Sequence, residues 1–191
     1  MGLSDYILTI KNDGSVWTWG NNDNGQLGDN STVNKSSPVL VVGSHSFVEV
    51  NCGYVHSIAR KADGSVWTWG YNIYGNLGDN STTYRSSPVL VVGSHSFVEI
   101  VGGYYHSLAR KSDGSVWTWG YNIYGQLGDN SVVSKSSPVL VVGGILHVTL
   151  DYFTYLRYKT GATPDAVNDA PWQEYREPFT SLGYVQTKVG L

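Results

Sequence analysis

A stretch of 50 residues occurs three times in this chain of 191 residues, and the repetition limits the possible folds more than any other feature. The motif DGSVWTWG begins at Asp13, Asp63 and Asp113, and the motifs LGDNS and SSPVLVVG recur at the same offset. Residues 51–93 and 101–143 are identical at 33 of 43 positions. A fixed period of this length indicates that each copy forms the same structural unit and stacks on its neighbour.

Each copy contains short β-forming runs and shows no helical period. In the second copy the runs 55–60, 65–69, 88–92 and 97–101 are rich in Val, Ile, Leu and aromatic residues. Turn residues separate them, including Asp63-Gly64, a dipeptide typical of β-hairpins. The sequence therefore predicts an all-β chain of β-propeller-type blades, with three repeats of 50 residues and four strands each.

The ordered motifs HSIARKADGSVWTWGYNIYGNLG and PVLVV resemble the regulator-of-chromosome-condensation repeat. The hallmarks of that family are a His-Ser strand, an Asp-Gly turn, a Trp-x-Trp-Gly strand and a Gly-Gln-Leu-Gly loop. The resemblance covers residues 4–150 and implies a propeller of four-stranded blades. Propellers close with roughly 4 to 8 blades. Three copies therefore suggest closure by self-association, a fragment of a longer chain, or an arrangement other than a propeller.

The repeat ends near residue 150, which divides the chain into two parts. Residues 1–150 form the three-repeat propeller-like domain, and residues 151–191 form a short C-terminal β-strand appendage with strands expected at 152–159 and 183–189. The segment WQEYREPFTSLGYVQTKV resembles, more weakly, C-terminal segments of structural proteins of tailed bacteriophages. A segment of this length is marginal for an independent core, so we expect it to pack on the blades or pair between chains.

Charge and composition argue against several classes of partner. The chain has 12 Lys and Arg against 15 Asp and Glu, a net charge of −3, and no basic cluster. We therefore predict neither nucleic-acid binding nor attraction to an anionic membrane. No signal peptide or membrane span is predicted. Cys52 is the single cysteine and is interpreted as a tolerated small residue.

The polar residues that recur in every copy predict structure and not chemistry. Histidine recurs at positions 45 and 95 and at positions 56 and 106, and a catalytic site needs one histidine in a cleft instead of one per blade. Asp29, Asp79 and Asp129 lack the alternating oxygen ligands of a calcium loop and are interpreted as Asx-turns. The sequence predicts no enzyme, no catalytic residue, no metal site and no cofactor.

The candidate binding site is the place where the copies differ. The first copy has Asn21-Asn22-Asp23-Asn24 where the other two have Tyr-Asn-Ile-Tyr. If exposed, these side chains would form an aromatic patch suited to protein or glycan contact. If buried, they would pack between successive blades, and the first copy would lack them because it lies at an edge. The candidate binding residues are Tyr71, Ile73, Tyr74, Tyr121, Ile123 and Tyr124.

A second candidate surface is the N-terminal strand, which precedes the first Asp-Gly turn. An exposed apolar strand would aggregate unless it were paired, so we predict that another chain covers it and that the protein is a homo-oligomer. The predicted assembly residues are Tyr6, Ile7, Leu8 and Ile10.

Two classes of function remain for a repeat protein without catalytic motifs. The first is a self-assembling structural and binding module on a virion surface, as a tail-fibre or decoration protein at a virion or extracellular location. The alternatives are a cellular protein-interaction scaffold of the exchange-factor-like repeat family, and a glycan-binding adhesin. The expected partners are other copies of the chain and virion or cell-surface proteins or glycans.

Overall fold

The computed structural model describes residues 5–142, and every regular element in that range is a β-strand. The strands of the first copy are β1 (Tyr6–Ile10), β2 (Val16–Gly20), β3 (Lys35–Leu40) and β4 (Glu49–Cys52). Those of the second copy are β5 (His56–Arg60), β6 (Val66–Gly70), β7 (Arg85–Leu90) and β8 (Glu99–Gly102). The third copy supplies β9 (His106–Arg110), β10 (Val116–Gly120) and β11 (Lys135–Leu140).

The strands form three antiparallel sheets, in the orders β1-β2-β3, β4-β5-β6-β7 and β8-β9-β10-β11. We call them sheets 1, 2 and 3. The fourth strand of the first copy and that of the second pair with the next copy, as the register Ile100↔Ala109 between β8 and β9 shows. The prediction of four strands per 50 residues therefore holds in the first and second copies, but the sheets are out of phase with the sequence copies.

Local sequence explains the turn that begins each Trp-containing strand. Asp63 accepts a hydrogen bond from the backbone N–H of Ser65 at 2.9 Å, and Lys61 N–H donates to the carbonyl of Ser65 at 2.9 Å. Gly64 has a φ of +83°, a conformation that costs glycine little. The same turn occurs at residues 11–15 and 111–115. We call this end of every sheet the hairpin end.

The hydrophobic core lies between neighbouring sheets. The cluster between sheets 2 and 3 contains the buried side chains of Ile58, Val66, Val91, Phe97, Ile100, Ala109 and Trp119. Trp119 is completely buried, and truncating such a residue to Ala costs about 3–5 kcal/mol. Each sheet thus depends on its neighbour for its core, which explains why the copies must stack.

A tryptophan and a glycine loop lock each pair of neighbouring sheets. The ring of Trp69 lies against Gly28 of the previous copy, and its Nε1–H donates to the carbonyl of Gln26 at 2.9 Å. Gly78 has a φ of +67°, and a Cβ there would approach Nε1 of Trp119 to 2.8 Å. The Gly-x-Leu-Gly loop is therefore the socket for the tryptophan of the following copy.

Residues 143–150 and the predicted appendage at 151–191 lie outside the described residues, as do their predicted strands. Within residues 5–142, no helix could cross a membrane.

Candidate functional site

The residues that distinguish the later copies gather at the end of the sheets opposite the hairpin end. Tyr71 follows the last residue of β6, and Tyr105 directly precedes β9. Gly70 pairs with His56 in the register of β6 and β5, so the chain segments before and after these strands lie side by side. We call this the tyrosine end.

Eight tyrosines form one connected group of rings at this end, which we call the tyrosine surface. Tyr105 lies at its centre, with ring centroids 5.3 Å from Tyr71, 5.3 Å from Tyr74 and 4.4 Å from Tyr104. Tyr74 also lies 4.6 Å from Tyr121 of the next copy. The members of the surface are Tyr54, Tyr71, Tyr74, Tyr84, Tyr104, Tyr105, Tyr121 and Tyr124.

The predicted binding residues both pack between copies and reach solvent. Tyr71, Tyr74 and Tyr121 are half-buried, because their rings contact one another or Tyr105. The two isoleucines and the last tyrosine are far more open: Ile73 is 53% exposed, Ile123 is 50% and Tyr124 is 82%. The sequence left packing and exposure as alternatives, and the structure contains both. Binding by these residues remains a prediction.

In the first copy, polar side chains stand at the positions that carry the tyrosine surface in the later copies. The Nδ2–H of Asn21 donates to the carboxylate of Asp23 at 2.8 Å, and Gln26 donates to Asn21 through its side-chain amide. The backbone N–H of Asn24 donates to Gln26 Oε1 at 2.9 Å, and that of Tyr124 donates to Gln126 Oε1 at 3.0 Å. The loop therefore keeps one conformation whether it carries polar or aromatic residues.

A buried asparagine holds each of these loops in shape. Asn72 is completely buried, and its carbonyl oxygen accepts a hydrogen bond from the N–H of Leu77 at 2.9 Å. Its amide donates to Asp79 Oδ1 at 3.1 Å and to the backbone carbonyls of Ser81 and Thr83. The exposed Ile73 thus stands on a rigid support, which lowers the entropy cost of using it in a contact.

Three tyrosines of the surface have hydroxyl groups whose pKa is raised above the ordinary value, which favours the protonated form. Burial raises the pKa of Tyr71, and the neighbouring Tyr84 raises it further. The pKa of Tyr54 is raised because its hydroxyl hydrogen-bonds Tyr104, and that of Tyr121 is raised by burial. These three side chains therefore offer aromatic rings and hydroxyl donors.

The recurring histidines have structural contacts, as the sequence predicts. The Nε2 of His56 lies 2.9 Å from the hydroxyl of Ser107 in the next copy. Burial lowers the pKa of His56 to about 3 and that of His106 to about 4, so both are neutral at pH 7. His45 and His95 have rings against Trp67 and Trp117, at centroid distances of 4.4 and 4.3 Å.

The predicted Asx-turns are confirmed at the three aspartates. Asp79 accepts a hydrogen bond from the N–H of Ser81 at 3.1 Å and pairs with Arg85 at 2.9 Å. Asp29 and Asp129 pair with lysines in the same way. Among residues 5–142, no three His, Cys, Asp or Glu side chains gather as a metal site would require.

The predicted assembly residues lie on β1, and they differ in exposure. Tyr6 is buried. Its hydroxyl donates to the carbonyl of His56 at 2.5 Å and lies 3.2 Å from the hydroxyl of Ser57. Ile7 is 49% exposed, whereas Leu8 and Ile10 are half-buried. Among the described strands, β1 pairs only with β2. The assembly role of these residues remains a prediction.

Four members of the tyrosine surface were missed by the sequence reasoning: Tyr54, Tyr84, Tyr104 and Tyr105. Comparing the copies could have found them, because Tyr104-Tyr105 stands where the first copy has Ser4-Asp5. Tyr84 likewise stands where the other copies have Asn34 and Ser134.

Comparison with family models agrees with the repeat boundaries. A model described as the regulator of chromosome condensation (RCC1) repeat matches residues 13–60, 63–110 and 113–149. A second model of the same repeat matches residues 47–76 and 97–126.

Among curated proteins, the chain is 38% identical to the RCC2 homolog of Danio rerio over 56 residues. That match covers 28% of this chain and 11% of the relative, so the chain corresponds to a small part of it.

Two solved structures share the fold. Human WBSCR16 superposes with a TM-score of 0.67 and 24% identity, covering 76% of this chain and 39% of that one. Prp20p of Saccharomyces cerevisiae superposes with a TM-score of 0.64 and 19% identity, covering 75% and 37%. The predicted all-β propeller-type fold is therefore confirmed.

Proposed function

The chain belongs to the regulator of chromosome condensation repeat family, and we propose that it is a protein-interaction module whose binding site is the tyrosine surface. This is the cellular scaffold that the sequence offered as an alternative. The family match gives no support to a virion role or to the phage resemblance of the C-terminal segment.

The observation that carries the proposal is the continuous aromatic surface at one end of the sheets. It extends from Tyr84 through Tyr71, Tyr74 and Tyr121 to Tyr124, with each ring in contact with the next. Tyrosine gives a large contact area at low conformational cost and is enriched at protein interfaces.

The chemistry of the surface favours a protein over a glycan. The later copies carry Ile73 and Ile123 where the first copy carries Asp23, so polar hydrogen-bonding groups give way to aliphatic ones. Aliphatic side chains suit the dry centre of a protein interface, whereas sugar hydroxyls need polar partners. We expect a partner with an apolar patch and hydrogen-bond acceptors at its rim.

A relative supports a role in protein binding. The study of the Prp20p structure concerns its binding properties to Gsp1p and histones. Prp20p is 19% identical to this chain, so these proteins serve here as probes and not as assigned partners.

The test compares the wild-type chain with a triple variant, in which each substitution introduces the residue that another copy has at the same position. Ile73→Asp and Ile123→Asp introduce the residue of Asp23, and Tyr84→Ser introduces that of Ser134. All three side chains are at least 40% exposed, so we expect the fold to be kept, which thermal melting checks. The control is Leu90→Asp with Leu140→Asp, which removes exposed apolar area at the hairpin end, where Leu90 pairs with Trp67 and Leu140 with Trp117.

Proteins captured from cell extract by each immobilised chain are identified, and their dissociation constants are then measured with purified protein. Purified Gsp1p and histones are measured in parallel. We expect a partner whose affinity falls at least about tenfold in the triple variant and stays within about twofold in the control, tenfold being about 1.4 kcal/mol.

Equal binding by the wild type and the triple variant would contradict the proposed site. A glycan array probed with the same three chains tests the other ligand class. Binding there that depends on Ile73 and Ile123 would replace the protein proposal with the adhesin.

A further inference from the structure

Sheet 1 exposes a face that its counterparts bury, which we call the leading face. Trp19 is half-buried, whereas Trp69 and Trp119 at the same position are completely buried beneath a loop of the preceding copy. Ser36 is exposed, whereas Ser86 and Ser136 are half-buried. Sheet 2 is preceded by sheet 1, and sheet 3 is preceded by sheet 2. Among the described residues, no sheet precedes sheet 1 in the same way.

Sheet 3 exposes the complementary face, which we call the trailing face. Its Gly125-Gln126-Leu127-Gly128 loop has the same sequence as residues 25–28, the socket that receives Trp69. Gly25, Gln26 and Gly28 are buried by the following copy, whereas Gly125, Gln126 and Gly128 are half-buried.

The contacts that join the copies within the chain show how the two faces would meet. Asn30 N–H donates to the carbonyl of Ser86 at 2.8 Å, and Asn80 N–H donates to that of Ser136 at 2.8 Å. Asn130 at the trailing face and Ser36 at the leading face are the same residue types at the same positions. The carbonyl of Gln126 has the same position in its loop as the carbonyl of Gln26, which accepts the hydrogen bond of Trp69.

One position of the leading face departs from this pattern. Ser57 and Ser107 donate hydroxyl hydrogen bonds to the carbonyls of Gln26 and Asn76, at 2.7 and 2.8 Å. The residue at this position in sheet 1 is Ile7, which is 49% exposed. An aliphatic residue in place of the serine loses one hydrogen bond and gains apolar area on burial.

We propose that the leading face of one chain docks on the trailing face of a second copy, with Trp19 entering the Gly125–Gly128 socket. Such a contact joins two different surfaces, so the association is head-to-tail. Two copies bring six sheets together, within the number that closes a propeller. This inference is independent of the proposed function, because it concerns the two outer sheets and not the ligand of the tyrosine surface.

Gly125 offers a selective test. A Cβ at Gly75 would approach Ser136 Cα to 2.5 Å, whereas a Cβ at Gly125 meets only Ser131 O, at 3.9 Å. The new side chain of Gly125→Asn therefore has room in a single chain, whereas in the assembly it would collide with the second copy. Asparagine tolerates the φ of +74°. Ser36→Tyr obstructs the leading face from the exposed side of an edge strand.

The experiment measures native mass at tens of micromolar chain, together with thermal melting to show that each variant is folded. The wild type is expected at twice the 20.9 kDa of one chain or more, and each single variant at one chain mass. A mixture of the two variants is expected to form dimers, because each variant keeps the one face that the other has lost.

A monomeric wild type, or an assembly that folded variants leave unchanged, would overturn the inference. Failure of the mixture to dimerise while the wild type assembles would equally exclude the head-to-tail contact. Native mass does not depend on ligand binding, so this result stands apart from the capture experiment.

Discussion

Acid should weaken the fold in a way that depends on the histidines between the sheets. His56 is completely buried, and only its Nε2 has a hydrogen-bond partner, Ser107. A protonated imidazole would add an N–H donor at Nδ1 without an acceptor. Burial accordingly lowers the pKa of His56 to about 3, with the nearby His106 as a second cause.

The direction of the effect follows from the two end states. An unfolded histidine has a pKa of 6.5, so it binds a proton below that pH while the folded protein does not. Stability is therefore complete above pH 6.5 and falls as the pH is lowered toward the folded pKa. The loss is about 1.4 kcal/mol per pH unit for each histidine, or about 2 kcal/mol each between pH 6.5 and 5. His56 and His106 together should remove about 4 kcal/mol over this range.

The matched variant is His56→Tyr, because the equivalent position of the first copy is the buried Tyr6, whose hydroxyl meets Ser57 in the next copy. Urea denaturation of both chains at pH 7 and pH 5 gives the free energies of unfolding. The variant should lose about 2 kcal/mol less than the wild type between the two pH values.

The pKa values of His45 and His95 are also lowered by burial, but both histidines are present in both chains and cancel in the difference. Equal losses in wild type and variant would show that burial does not lower the pKa of His56. If the tyrosine variant does not fold, His56→Gln serves in its place.

Two further predictions concern the loops between the sheets. Asn72→Ala should lower the free energy of unfolding by about 3 kcal/mol, because it leaves the Leu77 N–H and the Thr83 carbonyl without their partner. Urea denaturation measures this change. A loss below about 1 kcal/mol would argue against the asparagine as the loop support. Gly78→Ala should cost at least about 2 kcal/mol, since it combines a positive φ with a collision at Trp119. Urea denaturation measures this, and a loss no larger than about 1 kcal/mol, which the positive φ alone would cause, would contradict the socket.

The repeat made most of the fold predictable, because turns and strands are local. The Asp63-Gly64 turn and β6 (Val66–Gly70) depend on residues close in sequence, and both lie near the predicted positions. The pairing of β8 (Glu99–Gly102) with β9 depends on the tertiary path of the chain. The repeated sequence does not show at which residue one sheet ends and the next begins. A 50-residue period is the same wherever a unit is taken to begin.

The candidate site was predictable only in part. Tyr71 and Tyr124 stood out because they replace the polar residues of the first copy. Tyr105 belongs to another segment, and its place at the centre of the rings comes from the pairing of β5 with β6 and of β9 with β10. The buried Asn72 recurs in all copies, so the comparison of copies gave no sign of its structural role.

The most direct test of the tyrosine surface is hydrogen–deuterium exchange of the chain with and without a protein partner obtained by capture. Binding at the tyrosine surface should slow exchange at residues 71–75, 103–105 and 121–125, with little change at the Asp-Gly turns of residues 61–65 and 111–115. Protection confined to those turns, with unchanged exchange at the tyrosine end, would show that the partner binds elsewhere.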